Sequence, residues 1–319
     1  MANKTADRPL INPESTSMLP IMSALYFPMF LMSEFGNGFV IYSLLYLKRR
    51  HHTAIDRYTL SLATADFLLT TLTVFNGLEY LHNEWMLGEV FCKIHGTLVE
   101  LSYIVSTLTI ATISYTRSKA VNNPFKMLHE GKKTKKTIIY IWLTGLTLSS
   151  PLAYAYTVAG RNGNLHCSNT NFGVRTRQIY YLFQATVLFF APVSVMIVSQ
   201  KKITRGLRQH SSNNQTVMAS NDRNLSRMLR NERQIRKLLT CLWVMFVCCF
   251  TPYIVMRTID HFTSMRKTSK ISNQIWYITQ LLVVLNSSVN PYLYYRMTNR
   301  RGTFTQHILK LFCCQSSIW

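Results

Sequence analysis

Asn290-Pro291-Tyr292-Leu293-Tyr294 closes an apolar run, Ile271 to Tyr295, that holds no Asp, Glu, Lys or Arg and is long enough to cross a bilayer. A proline inside such a helix frees a backbone carbonyl one turn back. Asn290 beside it carries an amide to a depth where unsatisfied polar groups cost several kcal/mol. A break of this kind needs polar partners elsewhere in the same bundle.

Working outward from that run, the 319-residue chain is 48% hydrophobic and only 15% charged, and its apolar residues come in long blocks. Thr137 to Gly160, Gln178 to Gln200 and Leu238 to Met256 are also free of formal charge, and each can span about 30 Å as a helix. Three further blocks, roughly Met18 to Leu47, Tyr58 to Leu78 and Ile94 to Thr116, carry one acid each: Glu34, Asp66 and Glu100. The expectation is an all-α membrane protein, a seven-transmembrane helix bundle over 21–295. A tail (1–20) precedes the bundle and a short amphipathic segment (296–319) follows it. Met1 to Pro20 is polar and lacks a basic stretch followed by an apolar core, so the first span is expected to act as the signal anchor.

Basic residues set the orientation. Lys48 to Arg57, Arg117 to Lys136, Lys201 to Lys237 and Arg296 onward together hold 25 of the 35 Lys and Arg. That bias puts these segments in the cytoplasm and the amino terminus outside, at the plasma membrane, as an odd number of spans requires. The net charge of +22 invites a nucleic-acid reading. The clusters sit at helix ends beside apolar spans, where the positive-inside bias and anionic headgroups account for them, so no nucleic-acid partner is expected.

Cysteines and sequons follow the same topology. Cys92 and Cys167 are the pair available in the outer segments and are expected to form a disulfide. Cys241, Cys248 and Cys249 fall inside a span and are expected to be buried and inert. Cys313 and Cys314, after Phe312, are candidate palmitoylation sites, with plain free thiols as the alternative. Asn3-Lys4-Thr5 is an outer-tail glycosylation sequon, whereas those at Asn214 and Asn224 lie in a cytoplasmic loop.

Asp66 sits mid-span, where an ionised carboxylate costs at least about 2.5 kcal/mol. Asn37 in the first span, Ser106 in the third and Asn286, Ser287 and Asn290 in the seventh are its candidate partners. Hard oxygen donors around a carboxylate make a candidate sodium or proton site, with Asp66 as the metal ligand; the other reading is that these groups merely satisfy one another. Apart from sodium and palmitate, no cofactor is expected. No nucleophile with a base, metal cluster or phosphate loop appears at a useful spacing, so the chain is not expected to be an enzyme.

Taken in order, these residues resemble the rhodopsin-like (class A) G-protein-coupled receptors, in particular the peptide-type members. Gly36-Asn37 matches the first-helix GN signature, Leu62-Ala63 with Asp66 matches LAxxD, and Trp85 before Cys92 matches the outer-loop tryptophan. Arg117 stands at the arginine of the DRY motif, Trp142 matches the fourth helix and Pro192 the fifth. Phe246 and Pro252 match the sixth, and Asn290, Pro291 and Tyr294 match NPxxY in the seventh. The departures are Thr116 and Ser118 beside Arg117, Gln200 for the fifth-helix tyrosine, and Phe250 for the tryptophan of CWxP.

The resemblance implies transmission of an outer signal to heterotrimeric G proteins by opening of the cytoplasmic helix ends, with arrestin and membrane lipids as further partners. It implies a kink at Pro252, inward movement of Tyr294, a G-protein contact at Phe125, and an Arg117 to Glu232 pair closing the inner face. For Phe125 the alternative is the bilayer interface, and for Glu232 a solvated helix charge. Arg296 to Phe312, with Phe304, Ile308, Leu309 and Leu311 among basic residues, agrees with the family's short eighth helix.

Val99 stands where amine receptors carry Asp, and Ile271 to Tyr295 lacks the lysine of a visual pigment, so neither ligand class is expected. Candidate ligand contacts are Glu100 and Tyr103; Phe250, Tyr253 and Arg257; and Trp276, Tyr277 and Gln280. They suit a peptide, a neuropeptide by the resemblance, whose basic side chain meets Glu100 and whose carboxylate meets Arg257. Glu100 could instead be a structural acid facing a neighbouring helix, and Glu34 is expected to be structural. A hydrophobic small-molecule ligand is the runner-up, and a scaffold with weak or no G-protein coupling follows from Thr116, Ser118 and Gln200. A transporter would bury acids too, but the two halves show no internal repeat.

Overall fold

The computed structural model describes residues 13–47, 53–122, 131–161, 164–215, 223–263 and 270–298. Asn3, Phe125, the segment 299–319 with the rest of the eighth-helix reading, and Cys313 and Cys314 lie outside these residues. So does the side chain of Glu232.

The first span is α1 (Pro13–Tyr42), continued by a π-turn over Ser43–Leu47. The second is α2 (Ala54–His82) and the third α3 (Gly88–Asn122). The fourth, α4 (Gly131–Ser149), leads through a short α5 (Pro151–Ala155) into strands β1 (Thr157–Arg161) and β2 (Asn164–Ser168). The fifth is α6 (Val174–Ala185), a π-turn at Thr186–Phe190 and α7 (Ala191–Gln215). The sixth is α8 (Arg223–Thr263) and the seventh α9 (Lys270–Thr298). Among the described residues the first six spans are long and apolar enough to cross a membrane. The 29-residue seventh is long enough, but dilutes its apolar run with Thr279, Gln280, Asn286, Ser287, Ser288 and Asn290.

Local chemistry fixes several boundaries. Thr53 and Asp56 form a reciprocal capping box: the Asp56 N–H donates to Thr53 Oγ1 at 3.2 Å, and the Thr53 N–H to Asp56 Oδ2 at 2.8 Å. Asn83 ends α2 in the left-handed conformation, φ 53°. The uncharged run Thr137 to Gly160 does not continue as one helix. Pro151 has no N–H for the Thr147 carbonyl, so α4 stops at Ser149 and the Ser150 hydroxyl donates to Thr147 O at 3.0 Å. Thr157 to Gly160 then pair antiparallel with β2 as an outer hairpin. The loop expected over Lys201 to Lys237 is largely helical, because α7 and α8 extend the fifth and sixth spans beyond their apolar blocks. Asn214 and Asn224 fall on those extensions.

The core runs down the bundle through α3. Tyr103, Ile104, Ile110 and Ile113 pack with Leu188, Phe189 and Met196 of the fifth span, Phe246 and Phe250 of the sixth, and Tyr294 of the seventh. Of the three cysteines in the sixth span only Cys249 is buried. Cys241 and Cys248 face outward, because seven residues are close to two helical turns and place both on the outer side of α8.

Candidate functional site

The carbonyl freed by Pro291 is that of Ser287, and its replacement donor comes from another helix. Asn37 Nδ2 of α1 donates to Ser287 O at 3.2 Å, and also to the carbonyl and hydroxyl of Ser33 at 3.0 and 3.1 Å. The helices must approach closely for this bond to form. A Cβ on Gly36 would stand 2.7 Å from Pro291 Cγ, so the glycine of the GN pair is what admits the seventh-helix proline.

Asp66 lies fully buried beside that junction. Ser106 Oγ and Ser287 Oγ donate to its Oδ1 at 2.8 and 3.2 Å, and Asn290 Nδ2 to its Oδ2 at 2.7 Å. Three helices thus supply the centre directly, and Asn37 joins it through Ser287. Asn286 is buried with neither amide atom hydrogen-bonded, and Asn290 Oδ1 also has no partner. Glu34 is partly buried and is held by the hydroxyls of Thr70 and Thr71, a structural role between α1 and α2.

A second buried polar centre occupies the outer half. Arg257 Nη2 donates to Glu100 Oε2 at 2.8 Å and to Gln184 Oε1 at 3.4 Å, and Nη1 donates to Tyr253 OH at 3.1 Å. The Tyr181 ring covers the guanidinium, whose carbon is 3.9 Å from the ring centroid. Gln184 Nε2 continues the network to Tyr180 OH at 2.7 Å, which donates to Leu148 O of α4 at 2.8 Å. This one network ties four spans together.

Aromatic rings form a continuous thread through the core. Tyr103 meets Phe250 with centroids 5.0 Å apart, Phe250 meets Phe246 at 4.8 Å, and Phe246 meets Phe189 at 6.1 Å. Phe250 is buried at 1% exposure and keeps the aromatic bulk of the tryptophan it replaces. Near the inner end Arg117 is half-buried, while Tyr294 OH and Gln200 Nε2 are buried without hydrogen-bond partners. Arg236 Nη1 of α8 reaches Thr204 Oγ1 at 3.5 Å.

Residues 36–294 match the family described as 7 transmembrane receptor (rhodopsin family). That stretch holds the GN junction, the Asp66 centre and the NPxxY break. The chain belongs to the rhodopsin family of seven-transmembrane receptors. The Substance-K receptor of Homo sapiens is 25% identical to it, over 88% of this chain and 71% of that protein. The Tachykinin-like peptides receptor 86C of Drosophila melanogaster is 23% identical, over 88% of this chain and 56% of that protein. The QRFP-like peptide receptor of Branchiostoma floridae is 23% identical, over 84% and 72%. The receptor is therefore a multi-pass membrane protein and not an enzyme, and its family rules out the transporter reading.

Most of the residues singled out in the receptor sequence are gathered by the fold. Cys92 and Cys167 form the disulfide, joining α3 to β2. Glu100, Tyr103, Phe250, Tyr253 and Arg257 converge, and Trp276 reaches them through Tyr253, with centroids 5.7 Å apart. Tyr277 turns instead to Tyr80 of α2 at 4.2 Å, and Gln280 is half-buried one turn from Trp276. One expectation needs correction. Glu100 and Arg257 do not stand apart awaiting opposite charges, because they pair with each other. Separating them would strand a buried carboxylate at a cost of about 3–5 kcal/mol.

Four contributors were not expected from the sequence. Tyr180, Tyr181 and Gln184 lie in an uncharged block, and their only trace is an outer-half Tyr180-Tyr181-x-x-Gln184 run at helical spacing. Glu79 at the end of α2 accepts the Cys167 N–H at 3.1 Å and lies 3.3 Å from His166 Nδ1. It ties β2 to α2, whereas the disulfide ties it to α3.

Proposed function

We propose that the receptor binds an extracellular peptide and transmits that event to heterotrimeric G proteins. Supporting the peptide are relatives whose names specify peptide ligands, and an outer half combining a salt bridge, tyrosines and a pinned loop hairpin. The observation that carries the transmission is the unbroken aromatic path from Tyr103 through Phe250 to Phe246, beside Pro252. A ligand favouring one rotamer set at Tyr103 and Phe250 would bias the sixth helix about its proline, and it acts only through its differential affinity for the closed and open states. The amino terminus lies outside and the carboxyl terminus in the cytoplasm, as the basic-residue asymmetry requires.

The Asp66 centre completes this reading as a sodium site. Asp66 and Ser106 supply oxygens, and the buried, unpartnered Asn286 Oδ1 and Asn290 Oδ1 are hard donors suited to a small cation. A bound cation would supply the positive charge that Asp66 lacks. Asp66, Ser106, Ser287 and Asn290 themselves hold the second, third and seventh helices in register.

Substance K and tachykinin-like peptides applied to cells expressing the full chain, with dissociation of each G-protein class as readout, test the proposal. Dissociation of one class at nanomolar to micromolar peptide is the expected result. Measurable peptide binding with silence across every class would instead establish the scaffold reading suggested by Thr116, Ser118 and Gln200.

A further inference from the structure

The guanidinium of Arg257 lies in a cage built mainly by other helices. Glu100 comes from α3, Gln184 and the covering Tyr181 ring from α6, and Tyr253 from one turn back on α8. A carboxylate, a carboxamide oxygen, a phenol oxygen and an aromatic face complement a guanidinium, whatever molecule carries it. Arg257 fills this space. The adjoining cavity, lined by Tyr103, Tyr181, Gln184, Ile254 and Arg257, leaves only ≈ 10 Å³ for the centre of a water molecule. That is room for about one water. No ligand group reaches this depth while Arg257 stays.

We propose that the cage is a guanidinium subsite of the ligand-binding site, kept filled by Arg257 in the free receptor and taken over by a guanidinium on the ligand. The inference rests on the reading that an extracellular ligand enters the outer half of the bundle. Its basis is exclusion. A neutral or anionic group that displaced Arg257 would leave Glu100, at 6% side-chain exposure, as an unpaired buried carboxylate. Such groups stop above the cage, whereas an arginine-like group exchanges like for like. Glu100 Oε1 has no hydrogen-bond partner, so a guanidinium that takes the place of Arg257 finds one acceptor more than Arg257 uses. Arg257 lies nearer the outer end of α8 than Tyr253 does, and its long stem lets the displaced head snorkel toward water.

The test uses the full chain in nanodiscs with methylguanidinium chloride as the probe. In Arg257→Ala the cage is vacant, and the probe should raise the unfolding temperature with half-saturation on the order of millimolar. The wild type should need roughly ten-fold more, because tethered Arg257 competes at a high effective concentration. Methylurea, similar in shape but uncharged, should give no shift, and Glu100→Gln/Arg257→Ala should not respond to either compound. Equal responses of wild type and Arg257→Ala, or equal effects of the two compounds, overturn the proposal. If Arg257→Ala does not fold alone, cell-free synthesis into nanodiscs with methylguanidinium present should recover it, and failure to recover it overturns the proposal equally. Neither readout involves a peptide or a G protein, so a negative coupling assay and a negative probe experiment are separate results.

Discussion

Asn37 shows how one side chain can make a helix break tolerable. Its amide replaces the donor that Pro291 denies to the Ser287 carbonyl, and Gly36 beside it gives the proline room. Asn37→Ala would leave that carbonyl without its cross-helix donor in the bundle. A stability loss of about 1–3 kcal/mol is expected. Thermal unfolding of the purified receptor would measure it, and an unchanged transition would mean that water serves as well. Asp66 is a different case, because its three donors already satisfy it in part and the proposed cation supplies the rest. Asp66→Asn should abolish the sodium dependence of agonist binding while leaving the fold intact. A radioligand titration with sodium that matches wild type would remove the ion from the scheme.

Among the elements, the outer hairpin is held by two helices. The disulfide ties β2 to α3, and Glu79 ties it to α2 by accepting the Cys167 N–H. The Leu165 carbonyl also accepts the Trp85 N–H at 2.7 Å, which fixes the α2–α3 turn beneath it. Glu79→Ala removes one anchor and leaves the covalent one. Amide hydrogen exchange across Asn164–Ser168 should then quicken by roughly ten-fold, the effect of about 1.4 kcal/mol on local opening, with no change in α3. Equal exchange in both proteins would assign the hairpin's order to the disulfide alone. The fifth span reads similarly. Pro192 interrupts its ladder of backbone bonds, a π-turn at Thr186–Phe190 lies just before it, and Phe189 in that turn meets Phe246 across the bundle.

Over the whole molecule two buried polar centres share the third helix, along which the hydrophobic core is packed. The inner centre around Asp66 ties the second, third and seventh helices, and the outer one around Arg257 ties the third, fourth, fifth and sixth. The third helix contributes to both, consistent with its place along the core. Orientation is the property of the whole chain that its charges govern. An epitope tag before Met1 should stain on intact cells and one after Trp319 only after permeabilisation, and the reverse pattern would contradict the positive-inside reading.

The span order, the polar residues around Asp66 and the Cys92–Cys167 pair were legible in the sequence. Each is imposed by the bilayer or an oxidising exterior, which act on every residue whatever its neighbours. Even the seventh helix, the most polar, announced itself through Asn290 and Pro291. The partners within those spans were not legible. Asn37 could have met Asp66 directly, yet it caps Ser287 O, and Glu100 and Arg257, 157 positions apart, pair with each other. Rotation of one helix by a fraction of a turn decides such pairings, and packing against all the other helices sets that rotation. The residues thus determined a seven-helix receptor bundle with a polar centre at Asp66, while the tertiary structure alone decided that Glu100 and Arg257 pair with each other.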